Sequence, residues 1–109
     1  MITAAAFRKL ALSLEGVTEG PHFDMTSFRI GKRILITMRE KATRICIKLT
    51  PEDQDLFSLH DKTAIYPVPN KWGQQGWTFV DLKKVRVAVL KDLLAVALEG
   101  LKKKPARKR

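Results

Sequence analysis

Residues 26–49, "TSFRIGKRILITMREKATRICIKL", decide the fold class, because apolar side chains recur there at every second position. The recurring apolar residues are Phe28, Ile30, Ile34, Ile36, Met38, Ile45, Ile47 and Leu49. Alternation with a period of two is typical of antiparallel strands that bury one face. The stretch therefore predicts a β-meander of three strands, with a turn at residues 31–33 and a loop at residues 39–42.

The pairing register follows from the requirement that apolar residues face each other on the buried side. A three-residue turn and a four-residue loop predict five pairs: Phe28 with Ile36, Ile30 with Ile34, Ile34 with Ile47, Ile36 with Ile45, and Met38 with Thr43. A two-residue turn is disfavoured, because it would place Ile30 opposite Arg33.

The opposite face of these strands is predicted to be open and basic. Leu35 and Cys46 share this face. Seven basic residues lie on it or at its turns: Arg29, Lys32, Arg33, Arg39, Lys41, Arg44 and Lys48. An ordinary solvated sheet face is the alternative interpretation. Solvated surfaces usually mix charges of both signs, however, and Glu40 is the one acidic residue in this span.

Three helices are predicted around the strands, at residues 3–14, 51–59 and 87–101. Thr3 is the predicted N-cap of the first helix, and Thr50 is the predicted N-cap of the second. The last helix has the clearest apolar face, whereas the second has a short apolar stripe at Leu56, Phe57 and Leu59. The fold class is therefore α+β, a two-layer sandwich in which the N- and C-terminal helices pack on one face of an antiparallel sheet.

Residues 66–82, "YPVPNKWGQQGWTFVDL", contain both tryptophans of the chain. The strand before this loop is predicted to lie at a sheet edge or to be bulged, because Pro67 cannot donate a ladder hydrogen bond. Trp77 begins the next strand and alternates with Phe79, which favours a structural role in the core. Trp72 lies beside Lys71 in the loop and is the better candidate for stacking on a ligand.

Length and composition indicate one soluble domain. The chain has 109 residues and is 45% hydrophobic, enough for a modest core without disulfides. Cys46 is the single cysteine, which favours the reducing cytoplasm. No apolar run approaches the roughly 20 residues of a membrane span. A single domain is predicted at residues 1–101, and a monomer is favoured.

The net charge of +10 comes largely from the C-terminal residues 102–109. Six of the 21 basic residues lie there, which leaves 15 basic against 11 acidic residues in the rest of the chain. These six are Lys102, Lys103, Lys104, Arg107, Lys108 and Arg109. The segment is predicted to be a disordered basic tail, either simply solvated or acting as an arm that neutralises phosphates.

No catalytic or metal-binding motif stands out. The spacings of zinc sites, hydrolase nucleophiles and phosphate-binding loops are absent. Arg44 and Lys48 would lower the pKa of the Cys46 thiol if they shared its face, but a small strand residue is the favoured interpretation. His22 and Asp24 are predicted on one side of an extended segment, where the pair could orient an imidazole, and His60 is followed by Asp61 at a helix exit. An ordinary exposed histidine is the favoured interpretation of both. We therefore predict no enzymatic activity, no catalytic residues and no cofactor.

With its elements placed, the sequence resembles the MmcQ/YjbR family of small bacterial proteins. The resemblance rests on four segments in this order: "LEGVTEGPHF", "SFRIGKRILITM", "LTPED" and "YPVPNKWGQQGWTFVDL". It implies a frataxin-type, CyaY-like fold and a double-wing mode of DNA binding, with the wings at residues 31–33 and 39–42. Iron delivery, the function of frataxins, is disfavoured because the first helix carries Arg8 and Lys9 instead of clustered acids.

The leading hypothesis is a DNA-binding protein that uses basic hairpin wings, an open basic sheet face and a basic C-terminal arm. The predicted nucleic-acid-binding residues are Arg29, Lys32, Arg33, Arg39, Lys41, Arg44, Lys48, Lys71 and Trp72, together with the six basic residues of the tail. The alternative is a protein that binds a small molecule or anion between Trp72 and the basic sheet face.

Overall fold

The computed structural model describes residues 2–22, 25–39, 43–69 and 71–103, with side chains for 2–21, 25–39, 43–69 and 71–100. Its elements are α1 (Ala4–Leu12), β1 (Val17–His22), β2 (Met25–Ile30), β3 (Arg33–Met38), β4 (Arg44–Lys48), α2 (Pro51–His60), β5 (Ile65–Pro67), α3 (Lys71–Gln74), β6 (Trp77–Asp81) and α4 (Val87–Lys103). The six strands form one antiparallel sheet in the order β1-β2-β3-β4-β6-β5. The predicted α+β class is confirmed.

The core lies between one face of the sheet and the helices α1 and α4. Phe7 of α1 packs edge-on against Phe28 of β2, with ring centroids 5.6 Å apart. From α4, Leu90, Leu93, Leu94 and Ala97 are buried with the apolar residues of β3 and β4. Burial of these side chains supplies the main driving force for folding. The predicted placement of the N- and C-terminal helices on one face is therefore confirmed.

Both predicted helix caps are present. The Thr3 hydroxyl accepts a hydrogen bond from the Ala6 amide at 3.1 Å, and the Thr50 hydroxyl accepts one from the Asp53 amide at 3.2 Å. Each cap satisfies an amide that has no partner inside its helix. These two local signals therefore set where α1 and α2 begin.

The β2–β3 hairpin differs from the prediction because of a bulge. Phe28 faces Ile36 as predicted, but Ile30 faces Arg33 across a two-residue turn. The register shifts between Phe28, which faces Ile36, and Arg29, which faces Ile34. Leu35 is therefore an extra residue on β3, as in a β-bulge. Leu35 is consequently fully buried in the core, so its predicted place on the open face is wrong.

The predicted β3–β4 register is wrong by two residues. Ile36 faces Ile47 and Met38 faces Ile45, whereas the prediction paired Ile36 with Ile45 and Met38 with Thr43. A shift of two residues keeps every side chain on its own face of the sheet. Ile45 and Ile47 are therefore buried as expected, at 1% and 0% exposure.

The edges of the sheet are formed by strands with little apolar pattern. β1 was not predicted, because Gly20 and Pro21 interrupt any alternation. An ion pair between Arg8 Nε and Glu19 Oε2, at 3.2 Å, connects this strand to α1. At the other edge β5 ends at Pro67, so the predicted edge strand is confirmed.

Helix α2 does not bury its leucines. Leu56 and Leu59 are 63% and 70% exposed, whereas Phe57, the third residue of the predicted apolar stripe, is partly buried and packs against the core. The buried residue of this helix is instead Gln54. Among the described residues, no helix is long and apolar enough to cross a membrane.

Candidate functional site

The sheet face opposite α1 and α4, here called the open face, bears an aromatic and basic cleft. The cleft has a volume of about 630 Å³. It is lined by Met25, Ile34, Thr37, Arg39, Arg44, Ile45, Cys46, Val68, Trp72, Trp77 and Phe79. The β3 bulge contributes to this lining, because it turns Ile34 away from the core side that holds Leu35. The predicted open basic face therefore exists, but its floor is largely apolar.

Arg44 lies over an aromatic pair on the open face. Its guanidinium carbon is 3.8 Å from the centroid of the Phe79 ring, within cation–π range. Its Nη1 lies 3.4 Å from the Tyr66 hydroxyl, to which it donates. Tyr66 and Phe79 face each other across β5 and β6, with centroids 5.8 Å apart. Two neighbouring strands thus hold one guanidinium over the cleft.

Trp77 begins β6 as predicted, but it belongs to the open face, so the expectation that it fills the core is wrong. It is half-buried and pairs in register with Lys48, whose Nζ lies 5.5 Å from the indole ring. The core side of β6 is formed by Thr78 and Val80, which are both fully buried. Both faces of β6 carry large side chains, and the sequence pattern alone did not distinguish them.

Trp72 lies on α3 at the edge of the cleft and is 58% exposed. The chain around it depends on two glycines that approach neighbouring backbone closely. A Cβ at Gly73 would overlap the carbonyl of Val68, and one at Gly76 would overlap the carbonyl of Leu49. Gly76 also has a φ of 107°, which other residues rarely adopt. These contacts explain why glycines occur between the two tryptophans.

Gln54 of α2 holds the segment that contains both tryptophans, residues 72–78, through hydrogen bonds. Its buried side-chain nitrogen lies 2.9 Å from the Gly73 carbonyl oxygen, 3.1 Å from the Trp77 carbonyl oxygen and 3.1 Å from Thr78 Oγ1. The side-chain amide of Gln54 therefore links α2 to Gly73 at one end of the segment and to Trp77 and Thr78 at the other. A buried polar group with several partners fixes its surroundings.

Cys46 lies in the cleft between the positions of Arg44 and Lys48 on β4. Burial raises the pKa of its thiol to about 11, and the positive charge of Arg44 opposes this shift only in part. The thiol is therefore protonated at neutral pH and is a poor nucleophile. The interpretation of Cys46 as a small strand residue agrees with this environment.

Arg29, which was predicted to contact nucleic acid, is engaged with the edge of the sheet. Its Nε donates to Ser27 Oγ and its Nη2 donates to the Pro21 carbonyl, both at 2.8 Å. Ser27 Oγ in turn donates to the Gly20 carbonyl at 3.0 Å. Arg29 therefore holds β1 against β2, and only part of its side chain faces solvent.

The basic turn residues lie at opposite ends of the sheet. Lys32 and Arg33 are exposed at the β2–β3 turn, whereas Arg39 follows the far end of β3. Strand geometry puts about 17 Å between the two ends of β3. The described parts of the two predicted wings, Lys32 and Arg33 in one and Arg39 in the other, therefore lie at opposite ends of β3. Lys41 lies outside the described residues.

The open face is not uniformly basic. Asp81 of β6 lies directly opposite Arg44 in register, and its Oδ1 accepts a hydrogen bond from the Lys83 amide at 2.9 Å. Lys71 is exposed on α3 beside Trp72. The open face therefore carries a carboxylate beside Arg44 as well as the predicted cations.

The predicted tail residues are mostly beyond the described part of the chain. Helix α4 continues to Lys103, so the backbone of Lys102 and Lys103 is helical. Lys104, Arg107, Lys108 and Arg109 lie outside the described residues. Within the described part of the chain, no cluster of three or more histidine, cysteine, aspartate or glutamate side chains could hold a metal ion.

The aromatic floor of the cleft was missed at the sequence level. Phe79, Tyr66 and Met25 were not predicted as site residues, yet Phe79 and Met25 line the cleft and Tyr66 contacts Arg44. The available signal was the presence of large apolar residues on both alternating faces of β6, which is typical of a strand covered on both sides.

Comparison with known proteins agrees with this architecture. No curated protein matches the sequence. The crystal structure of Deinococcus radiodurans protein DR2400, which has a DUF419 domain, is similar to this chain with a TM-score of 0.82 and 21% sequence identity. The match covers 99% of this chain and 84% of that chain, and it shows a shared fold. The YjbR family model matches residues 12–98, and the chain therefore belongs to the YjbR family.

Proposed function

We propose that this chain binds nucleic acid, with DNA as the favoured polymer, through the cations and aromatic rings of the open face. The observation that carries the proposal is the position of Arg44, which lies over Phe79 in a cleft whose rim includes Arg39 and Trp72. Cations that follow a phosphate backbone, combined with aromatic rings, are the usual elements of nucleic-acid-binding surfaces.

The remaining cations extend this surface. Lys48 and Lys71 lie beside Trp77 and Trp72, and Lys32 and Arg33 occupy the far turn. The six basic residues at the C-terminus add an arm that contacts phosphates without regard to sequence. Within this proposal the chain is a monomeric, non-enzymatic binding protein of the bacterial cytoplasm, and its single free cysteine supports that location.

The test measures the binding of labelled DNA by fluorescence anisotropy over a range of salt concentrations. The logarithm of the binding constant should fall linearly with the logarithm of the salt concentration. Each contact to a duplex phosphate should make that slope steeper by about 0.9. Arg44→Ala should reduce both affinity and slope, whereas Arg86→Ala, at an exposed arginine before α4, should change neither. No binding at about 50 mM salt, the low end of the range where such contacts are strong, would contradict the proposal.

A second variant separates the tail from the open face. Replacing the six basic residues of the tail with glutamine removes its charge but keeps the chain at full length. If this variant loses all binding while Arg44→Ala loses none, the tail is the binding element and the proposed role of the open face is wrong.

A small anionic or aromatic ligand is the second candidate, and the cleft volume favours it. About 630 Å³ lies within the usual range of about 300–1,000 Å³ for ligand pockets. A thermal-shift screen distinguishes the two functions. Stabilisation by one metabolite but not by polyanions supports the small-ligand function, and stabilisation by DNA and heparin alike supports nucleic-acid binding.

A further inference from the structure

We propose that the cleft holds one unpaired nucleobase, stacked between the Arg44–Phe79 pair and Trp72, so that the chain prefers single-stranded to duplex nucleic acid. This inference rests on the proposed function. It goes further by naming what occupies the cleft and which form of the polymer supplies it.

The first argument is the position of the Arg44 side chain. One side of its guanidinium is occupied by Phe79 at 3.8 Å, and Tyr66 Oη accepts from Nη1. Arg44 is nevertheless an exposed residue that lines the cleft, so the guanidinium is also presented to the cleft. Arginine planes fixed in this manner are common stacking partners for unpaired bases.

The second argument is the exposure of Trp72. Tryptophan is among the most buried residues on average, yet this side chain is 58% exposed at the edge of the cleft. Its backbone is held in place, because Gly73 fits tightly against Val68 and accepts from Gln54. A rigidly supported, largely exposed indole that lines the same cleft as the Arg44 guanidinium suits a flat aromatic ligand.

The third argument is the polarity of the cleft. Its polar groups include the Thr37 hydroxyl and the neutral thiol of Cys46, both of which can donate or accept weakly toward a base edge. Arg39 lies at the rim, where it can reach an adjoining phosphate. Among the described residues that line the cleft there is no aspartate or glutamate to repel that phosphate. The chemistry fits a base attached to a phosphate.

Duplex DNA cannot supply such a base without being opened. Its bases are stacked on their neighbours and paired at their edges, so their faces are not available to a concave site. A single strand can turn a base outward at small cost. Arg39 at one end of β3, and Lys32 and Arg33 at the other, would then contact phosphates on either side of that base.

The experiment compares four ligands by fluorescence anisotropy and calorimetry with the full-length chain. They are a thymidine strand of about 15 nucleotides, its duplex with an adenosine strand, an abasic strand of equal length, and thymidine monophosphate. The single strand should bind at least about fivefold more tightly than the abasic strand, since one stacked base is worth about five- to 150-fold.

The matched variants are Trp72→Ala, Trp72→Phe and Leu56→Ala. Trp72→Ala should weaken single-strand binding by about five- to 150-fold and weaken duplex and abasic binding by a smaller factor, because those ligands offer the indole no unpaired base. Trp72→Phe should restore part of that loss, because phenylalanine keeps an aromatic face. Leu56→Ala is the control, since Leu56 is 63% exposed on α2 and does not line the cleft.

The outcomes separate this inference from the proposed function. If duplex and abasic strand bind as tightly as the thymidine strand and Trp72→Ala changes nothing, the base site is wrong and nucleic-acid binding stands. If none of the polymers binds, the proposed function itself fails. If thymidine monophosphate binds as tightly as the strand, a free nucleotide is the occupant and the preference for single strands is overturned.

Discussion

The guanidinium of Arg44 lies 3.8 Å from the centre of the Phe79 ring, although these two residues are not partners in the sheet. In register, Arg44 faces Asp81 and Phe79 faces Cys46. The arginine thus reaches diagonally along β6 toward the cleft instead of remaining beside the carboxylate directly opposite. Diagonal neighbours in a sheet lie within reach of long and aromatic side chains. This contact brings a cation to the centre of the open face.

The contact should make a small and measurable contribution to stability. Arg44→Ala should lower the free energy of unfolding by about 0.5–1 kcal/mol, the usual value of an exposed cation–π pair. Chemical denaturation with urea measures the change. Arg86→Ala should stay within about 0.5 kcal/mol of the parent chain. An equal loss in both variants would show that the Arg44 contact has no stabilising role.

Cys46 should be unreactive at neutral pH. Its pKa of about 11 means that alkylation by iodoacetamide should rise with pH well beyond pH 8.5, where an ordinary thiol is half ionised. In Arg44→Ala the inflection should move to still higher pH, because the positive charge that lowers the pKa has been removed. An inflection near the ordinary thiol value would contradict the burial of this side chain.

The raised pKa also predicts how stability depends on pH. Between about pH 8.5 and 11 the thiol of the unfolded chain loses its proton while the thiol of the folded chain keeps it. The stabilisation associated with this proton is complete below that window and is lost as pH rises through it. Urea denaturation should therefore show a steeper fall for the parent chain than for Cys46→Ala, and identical slopes would contradict the prediction.

The fold class could be predicted because its signals are local. Alternation in β3 and β4 and the 3.6-residue period of α4 each identify an element and its buried face. The exact strand pairing could not be predicted from the sequence. Shifting β4 by two residues replaces one isoleucine pair with another, and apolar residues still face each other. The bulge was equally hidden, because Ile34 and Leu35 are both apolar and either can fill the core.

The site was only partly predictable for a related reason. Arg44 and Lys48 were predicted on one face from alternation and Arg39 at the adjoining loop, and in the structure Arg44 and Arg39 line the cleft while Lys48 lies near Trp77. Its aromatic floor depends on which face of β6 points away from the helices, and both faces carry large residues. The contacts of Arg29 likewise depend on tertiary structure, because they reach β1, a strand with almost no apolar alternation in its sequence.

Gly76 should tolerate no side chain. Gly76→Ala should lower the free energy of unfolding by at least about 2 kcal/mol, because the new Cβ would overlap the Leu49 carbonyl and the residue has a φ of 107°. Thermal and urea denaturation both measure this loss. Gly20→Ala is the control, since nothing lies within 4 Å of its added Cβ, and it should stay within about 0.5 kcal/mol.

Gln54→Glu should destabilise the chain in a pH-dependent manner. A carboxylate there would face the Gly73 and Trp77 carbonyl oxygens without a proton to donate, so its folded-state pKa should be raised. The variant should approach the parent near pH 4 and lose about 1–3 kcal/mol relative to it as pH rises toward neutrality. Gln75→Glu, at an exposed position, should show no such trend. A pH-independent loss would exclude this hydrogen-bond role.

The two tryptophans should differ in their response to charged quenchers. In Trp77→Phe the remaining Trp72 is 58% exposed, so its emission should be quenched strongly, and more by iodide than by caesium because Lys71 and Arg39 lie near it. In Trp72→Phe the half-buried Trp77 should be quenched less by both ions. Stern–Volmer titrations at constant ionic strength measure these differences. Stronger quenching of Trp72 by caesium would mean that the cleft rim is not positive, and phosphate binding there would lose its electrostatic basis.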